Sequence, residues 1–345
     1  MYFNSLQSLR GLFALMIFFH HFNFRQNEGG MFEAGGDCGV TFFFILSGFV
    51  LFQNYLKNES QSPTIKNNLI FIGKRLSKIY PLHIVCLALA CLLKLAVTIP
   101  DITNIFLVQA WIPFRTYYFS GNAIGWCLSD FLFFYAVFPF LAYGLRRSPL
   151  KFVGIFTVIV LLYILIGIPL IPSSLADGII YINPLVRSMD FVYGMALCLI
   201  YKYLQSYKIK INLVDTVCVF IFTILIWYSC PSRYNLSLLW WPAVGFLILY
   251  ATTTANKILA IKPLVLFGDV SFSFYLIHVL SRDYIDKFLY KIGLAEMNPG
   301  LRLFLILAFT ILASFLVHRY FVLPIENLIR RHLNKRGPSP RVALN

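Results

Sequence analysis

The sequence is poor in charged residues, and acidic residues are its scarcer kind. Only 12% of its 345 residues are charged and 59% are hydrophobic, whereas soluble domains carry about 25% charged residues. The sequence also lacks the short segments of alternating hydrophobicity that build outer-membrane barrels. Its apolar runs instead reach the roughly 20 residues that cross a bilayer as a helix. We therefore expect an all-α integral membrane protein.

Three further features are missing. No basic N-region with an A-x-A cleavage site opens the chain, so we expect its first apolar stretch to stay as a transmembrane helix. The seven cysteines are odd in number and show no C-x-x-C spacing, which indicates packing residues and no metal site. No repeat of 20–50 residues is visible, so the whole chain is expected to form one bundle.

The apolar runs predict about ten transmembrane helices, at residues 6–24, 38–57, 80–99, 126–145, 150–171, 184–204, 213–230, 236–253, 264–281 and 302–323. The transmembrane domain is expected to cover residues 1–330. A basic tail follows over residues 331–345, and its Gly-Pro-Ser-Pro run predicts disorder.

The net charge of +15 predicts orientation in the membrane, not a nucleic-acid partner. Eighteen Lys and Arg residues fall in the loops after the second, fourth, sixth and eighth spans and in the C-terminal tail. Six fall in the other loops. Because positively charged loops stay in the cytoplasm, both termini are predicted to be cytoplasmic. We expect a multi-pass protein of the inner cell membrane, in contact with the lipid bilayer.

The first predicted span carries two ionisable residues on one face. Arg10 and His21 are eleven residues apart, almost three helical turns, so they project from one stripe about 16 Å apart along the axis. His20 points off that stripe. An ionised group at the bilayer centre costs about 2.5–3.5 kcal/mol, so such residues indicate function by default. The alternative for His21 is a buried histidine that bonds a backbone carbonyl.

Two later segments carry similar patterns. Arg75 and Lys78 share a helix face in K-R-L-S-K-I-Y-P, where Pro81 is expected in the first turn of the third span. These two cations are either ordinary positive-inside flanking residues or an anion site. In the ninth span, Ser271 and His278 share a face. His278 is expected at the depth of His21, about 20 Å from the cytoplasmic ends of their helices, which allows a shared cavity.

Polar or small residues at three other places in the spans have structural interpretations. Asp130, one turn into the fourth span, is a candidate polar contact. Arg187 and Asp190 are three apart and neutralise each other, which indicates a structural pair. Ser47-Gly48 in the second span are small enough for a neighbouring helix to approach closely.

The ordered motifs resemble the acyltransferase 3 family of polytopic membrane proteins, from Ser8 to about Arg330. The first span resembles the family's opening helix, with its Arg, ten intervening residues and His. The four later segments that are similar to family motifs are G-V-T-F-F-F-I-L-S-G-F-V-L, K-R-L-S-K-I-Y-P, W-C-L-S-D-F-L-F-F-Y-A-V-F-P and G-D-V-S-F-S-F-Y-L-I-H.

The sequence departs from the family pattern at three places. Lys78 stands where the family has a second Arg, so the charge is kept but the bidentate fork is lost. Phe131 occupies the usual acidic position, and Asp130 comes one residue earlier, about 100° around the helix. Thr41 stands where many members have Asp.

The resemblance implies an O-acyltransferase that moves an acyl group, commonly acetyl, from cytoplasmic acyl-CoA to a hydroxyl of a cell-envelope or lipid-linked glycan. No permanently bound cofactor or metal is expected. His21 and Arg10 are the predicted catalytic residues, with His21 as the general base, a role that suits an imidazole of ordinary pKa near 6.5. Arg75 and Lys78 are predicted to join Arg10 in binding the phosphates of acyl-CoA. The supporting candidates are His20, Ser271, His278 and Asp130.

The alternative from another class is a secondary transporter of a small solute, whose spans also hold intramembrane Arg, His and Asp residues. No internal repeat and no matching pair of Gly/Pro-broken spans supports it. Acyl-CoA hydrolysis or transfer by the purified protein separates the two hypotheses.

Overall fold

The computed structural model describes residues 3–22, 33–57, 64–229 and 237–336, and every regular element in these ranges is helical. The α-helices are α1 Asn4–His21, α2 Glu33–Lys57, α3 Ile65–Lys94, α4 Ile99–Ile105, α5 Arg115–Tyr118, α6 Trp126–Arg147, α7 Pro149–Leu162, α8 Ile168–Leu170, α9 Pro184–Ser206, α10 Leu213–Ser229, α11 Trp241–Thr253, α12 Lys262–Lys291, α13 Pro299–Val317 and α14 Leu323–Arg336. Short 3-10 turns occupy Gln109–Trp111, Ala123–Gly125, Ser173–Leu175 and Ser237–Trp240. Wider π-helical turns occupy Tyr163–Gly167, Asp177–Ile182 and His318–Val322.

The expected class, an all-α membrane protein, is confirmed, and each of the ten predicted spans overlaps a helix in the described ranges. In the described ranges, seven helical stretches are long and apolar enough to cross a membrane: Gly35–Lys57, Lys66–Lys94, Ala123–Arg147, Pro149–Leu170, Pro184–Ser206, Lys262–Lys291 and Pro299–Asn334. Leu213–Ser229 and Ser237–Thr253 are apolar but shorter. The count of ten and the cytoplasmic termini remain predictions.

The start of the third span was predicted wrongly. Helix α3 begins at Ile65, before the predicted start at residue 80, and Pro81 lies in its interior instead of its first turn. The Thr64 side chain caps its N-terminus by accepting from the Asn67 amide at 3.3 Å. Proline has no N–H for an intrahelical bond, but packing of the apolar face holds the helix on both sides of it. On the N-terminal side, Phe71 stacks on Phe138 of α6 with ring centroids 5.4 Å apart.

Small residues bring two pairs of helices into backbone contact. The predicted close approach at Ser47-Gly48 is confirmed, since a Cβ at Gly48 of α2 would strike the Phe191 carbonyl of α9. Helix α1 meets α12 in the same way, because a Cβ at Gly268 would strike the Gln7 carbonyl. Since Gln7 lies beside Gly268 and His21 beside His278, α1 and α12 run parallel.

The last helix folds back onto the bundle. Helix α14 packs along α3, where a Cβ at Gly73 would lie 3.1 Å from the Leu333 side chain. Its helical conformation ends at Arg336, beyond the predicted domain boundary at residue 330, and residues 337–345 of the predicted tail lie outside the described residues. This packing carries basic residues of α14 to the N-terminal half of α3.

Candidate active site

A cavity of about 270 Å³ lies between α1, α2, α3, α6, α12 and α14. Five basic side chains line it: Arg10, Lys74, Arg75, Lys78 and Arg330. Among the described residues that line the cavity, none is Asp or Glu. We call this part the basic end, and it is suited to an anionic ligand because five cationic side chains converge there.

Neighbouring groups hold some of these cations in place. Arg10 Nη1 donates to Gln7 Oε1 at 3.0 Å, one turn earlier on α1. The Arg75 guanidinium lies over the Phe71 ring at 5.3 Å from its centroid. Arg330 forms an ion pair with Glu326 at 2.8 Å, and Glu326 itself is nearly buried behind the cavity wall. The basic end is thus assembled from side chains of three helices that are far apart in sequence.

Away from the basic end the cavity lining is mostly apolar, and we call this part the apolar channel. The cavity lining on α2 runs from Asn54 to Val40, fourteen residues or about 21 Å of helix. Val40, Cys127 and Tyr275 line the far end, which we call the inner end. There the Tyr275 hydroxyl donates to the Ile124 carbonyl at 3.0 Å and lies 3.2 Å from Cys127 Sγ.

His21 and His278 lie side by side. The His278 Nε2 atom is 3.4 Å from His21 Nδ1, and the two ring centroids are 5.0 Å apart. His21 Nδ1 also lies 2.9 Å from the Ile17 carbonyl, the bond that the alternative reading of His21 required. His278 is fully buried and its Nδ1 lies 2.6 Å from the Tyr275 carbonyl.

The two imidazoles stand beyond the inner end of the cavity. His278 follows the lining residue Tyr275 by three positions on α12, and His21 follows Ile17 by four positions on α1. Ile17 packs against Gly39, next to the lining residue Val40. His278 is therefore about one helical turn, roughly 5 Å, past Tyr275 of the cavity lining, and His21 lies at the same depth through its contact with His278.

The remaining predicted residues divide between the cavity and two other places. Ser271 lines the cavity together with Arg10, Arg75 and Lys78. The His20 ring faces α2, where a Cβ at Gly36 would lie 2.7 Å from it, and it meets His21 edge to face. The His20 ring thus lies toward α2, off the stripe as the helical spacing predicts, and it contacts His21 from that side.

Asp130 belongs to a separate buried cluster. Arg187 Nη2 lies 3.2 Å from Asp190 Oδ2 and donates to Thr41 Oγ1 at 3.2 Å, so the predicted structural pair is confirmed. Asp130 is close enough to Arg187 for electrostatic attraction, although neither of its oxygens hydrogen-bonds a described residue. Phe131 lines the cavity instead. Because the acid stands one position earlier than in the family motif, its side chain faces Arg187 and not the cavity.

Sequence reasoning missed two cations of the basic end. Lys74 and Arg330 were counted only as cytoplasmic flanking charge. For Lys74 a signal existed, since it lies four residues before Lys78 on the same helix face. For Arg330 no local pattern indicates the site, because its position depends on how α14 packs against α3.

Comparison with known proteins decides the family. Residues 3–319 match the family model for the acyltransferase 3 domain, described as an acyltransferase domain. The chain belongs to the acyltransferase 3 family. This membrane protein is therefore an O-acyltransferase, as the ordered motifs predicted.

One relative aligns with the chain over nearly the whole length of both proteins. The protein is 25% identical to acyltransferase MdmB of Streptomyces mycarofaciens over 380 aligned positions, which cover 97% of this chain and 93% of the relative. No solved structure matches this acyltransferase.

Proposed function

We propose that the protein moves an acetyl group from acetyl-CoA to a hydroxyl of a cell-envelope or exported glycan in the inner cell membrane. One observation carries the donor assignment. The cavity presents five cations and no acid among its described lining at one end, and at the other end Tyr275 lies one helical turn before His278, which contacts His21. Phosphate groups suit the basic end, and the thin pantetheine arm suits the apolar channel.

In the proposed reaction His21 acts as general base. The acceptor oxygen attacks the thioester carbonyl carbon while His21 takes the hydroxyl proton. The C–O bond forms, the C–S bond breaks, and the proton passes from the imidazolium to the departing thiolate sulfur. Free coenzyme A and the ester leave, so the neutral imidazole is restored without any other reactant.

Direct attack is favoured over an acyl-imidazole intermediate. A single base near the inner end of the cavity suffices for direct attack, whereas a labile acyl-imidazole needs strict exclusion of water. Rapid mixing of enzyme with acetyl-CoA alone tests this point. We expect no burst of free coenzyme A before acceptor is added, and a burst equal to the enzyme concentration would favour the acyl-enzyme route.

The donor assignment is tested with two thioesters that share the reacting group. Acetyl-CoA and S-acetylpantetheine carry the same acyl-pantetheine arm, but only acetyl-CoA carries the nucleotide phosphates. Purified protein should use S-acetylpantetheine with a KM at least about tenfold higher, because charge-assisted bonds at the basic end are lost. Equal KM values would show that the basic end does not bind the donor.

The acceptor is best identified in cells. Mass spectrometry of envelope glycans from strains with and without the gene should show a mass difference of one acyl group on a hydroxyl-bearing sugar. Loss of the same modification in a strain that carries His21→Ala ties the change to catalysis. Unchanged glycans would contradict a glycan acceptor.

The transporter alternative has less support. Membership of an acyltransferase family favours group transfer over transport. A transporter leaves acetyl-CoA intact, so release of free coenzyme A on addition of acceptor distinguishes the two.

A further inference from the structure

The His21–His278 contact has a defined direction of donation. A carbonyl oxygen only accepts, so the nitrogen of each ring that faces a carbonyl carries the proton. His278 Nδ1 therefore donates to the Tyr275 carbonyl at 2.6 Å, and its Nε2 is left with the lone pair. His21 Nδ1 likewise donates to the Ile17 carbonyl at 2.9 Å.

The lone pair of His278 faces the protonated nitrogen of His21. The His278 Nε2 atom lies 3.4 Å from His21 Nδ1, so the Nδ1 proton is shared between the Ile17 carbonyl and His278. This arrangement fixes the neutral tautomer of His21, in which Nε2 carries the lone pair. In the described part of the chain, Nε2 of His21 makes no hydrogen bond that would compete with a substrate.

We propose that His278 is a positioning residue that, together with the Ile17 carbonyl, holds His21 in the Nε2-basic tautomer and accepts a stronger hydrogen bond from its Nδ1–H when His21 becomes imidazolium. This inference rests on the proposed role of His21 as general base. The chain of donation runs from His21 Nδ1 to His278 Nε2, and from His278 Nδ1 to the Tyr275 carbonyl. His278 itself neither gains nor loses a proton in the step.

Packing restricts the orientation of the His278 ring. Its ring is fully buried, and Phe274 stacks against it with centroids 6.3 Å apart. Phe18 of α1 flanks it at 6.1 Å. A ring confined by neighbours and anchored through Nδ1 presents Nε2 in one direction, which is what a positioning role requires.

Four variants test the proposal by separate measurement of kcat, KM and donor affinity. His278→Leu removes the acceptor, and its kcat should fall about 10- to 100-fold while KM and acetyl-CoA affinity change less than about twofold. His278→Gln can place its amide oxygen near the Nε2 position and should stay within about fivefold of wild type. His278→Asn reaches only the Nδ1 position and should behave like His278→Leu. His278→Leu in a His21→Ala background should lower the residual rate no further.

The outcomes separate this inference from the proposed function. A wild-type kcat in His278→Leu, or equal kcat in the Gln and Asn variants, overturns the positioning role while the base role of His21 stands. Wild-type transfer by His21→Ala overturns both. If His278→Leu does not fold, the contrast between Gln and Asn decides alone, with folding checked by thermal unfolding in detergent.

Discussion

Gly268 of α12 lies directly against the carbonyl oxygen of Gln7 in α1, with no space for a Cβ atom between them. Gly11 makes the reciprocal approach, since a Cβ there would lie 2.7 Å from the Phe267 ring. This contact sets the spacing of the two helices that carry His21 and His278. The geometry of the histidine pair therefore depends on residues more than two turns away.

The first prediction concerns this contact. Gly268→Ala should force α1 and α12 apart, with a loss of about 1–3 kcal/mol in stability and a larger proportional loss of transfer activity. Gly154→Ala in α7 is the matched control, because no described atom lies within 4 Å of its Cβ position. Thermal unfolding in detergent and transfer rate measure both. Equal effects of the two substitutions would contradict the close-packing account.

Arg75 should contribute to donor affinity. Loss of its charge-assisted phosphate contact in Arg75→Ala is expected to remove about 1.5–3 kcal/mol, or about ten- to hundredfold in acetyl-CoA affinity. Lys78→Arg should be tolerated, because the charge is kept. Isothermal titration with acetyl-CoA measures both variants. Unchanged affinity in Arg75→Ala would mean that these residues only set membrane topology.

Arg330 should join Arg75 in donor binding although it is 255 positions later in the chain. Arg330→Ala is expected to raise the KM for acetyl-CoA about tenfold, since its guanidinium lines the basic end. The neighbouring Arg331 is exposed and does not line the cavity, so Arg331→Ala controls for net charge. The same KM in both variants would exclude Arg330 from the site.

The buried Arg187–Asp190 pair should matter for stability. Arg187→Met leaves Asp190 buried without its cation and is expected to cost about 3–5 kcal/mol. The double variant Arg187→Met/Asp190→Leu removes both charges and should recover part of that loss. Thermal unfolding of the single and double variants tests the coupling. Additive effects would show that the two residues do not act as a pair.

Helical spacing predicted much of the candidate site. Because the rise and twist of a helix are fixed, the sequence placed Arg10 and His21 on one stripe and His278 at the depth of His21. The structure brings His21 and His278 into contact at one depth, whereas of Arg10 and His21 only Arg10 lines the cavity. Apolar run length likewise predicted where the helices lie, since the bilayer sets their length.

Features that depend on tertiary packing could not be predicted from the sequence. Pro81 indicated a helix start, yet apolar packing on both sides keeps α3 continuous through it. Arg330 enters the basic end only because α14 folds back along α3, and no local spacing encodes that contact. The one-residue shift predicted that Asp130 points about 100° away from the motif position. It did not predict that Arg187 would be its neighbour there.

The proposed role of His21 is tested most directly by transfer and donor binding in one pair of variants. His21→Ala should abolish acetyl transfer while acetyl-CoA affinity stays within about twofold of wild type, because the base is lost and the basic end is intact. His20→Ala should retain most activity, since its ring faces α2. Wild-type transfer by His21→Ala, or equal loss in both variants, would contradict the assignment of His21 as the catalytic base.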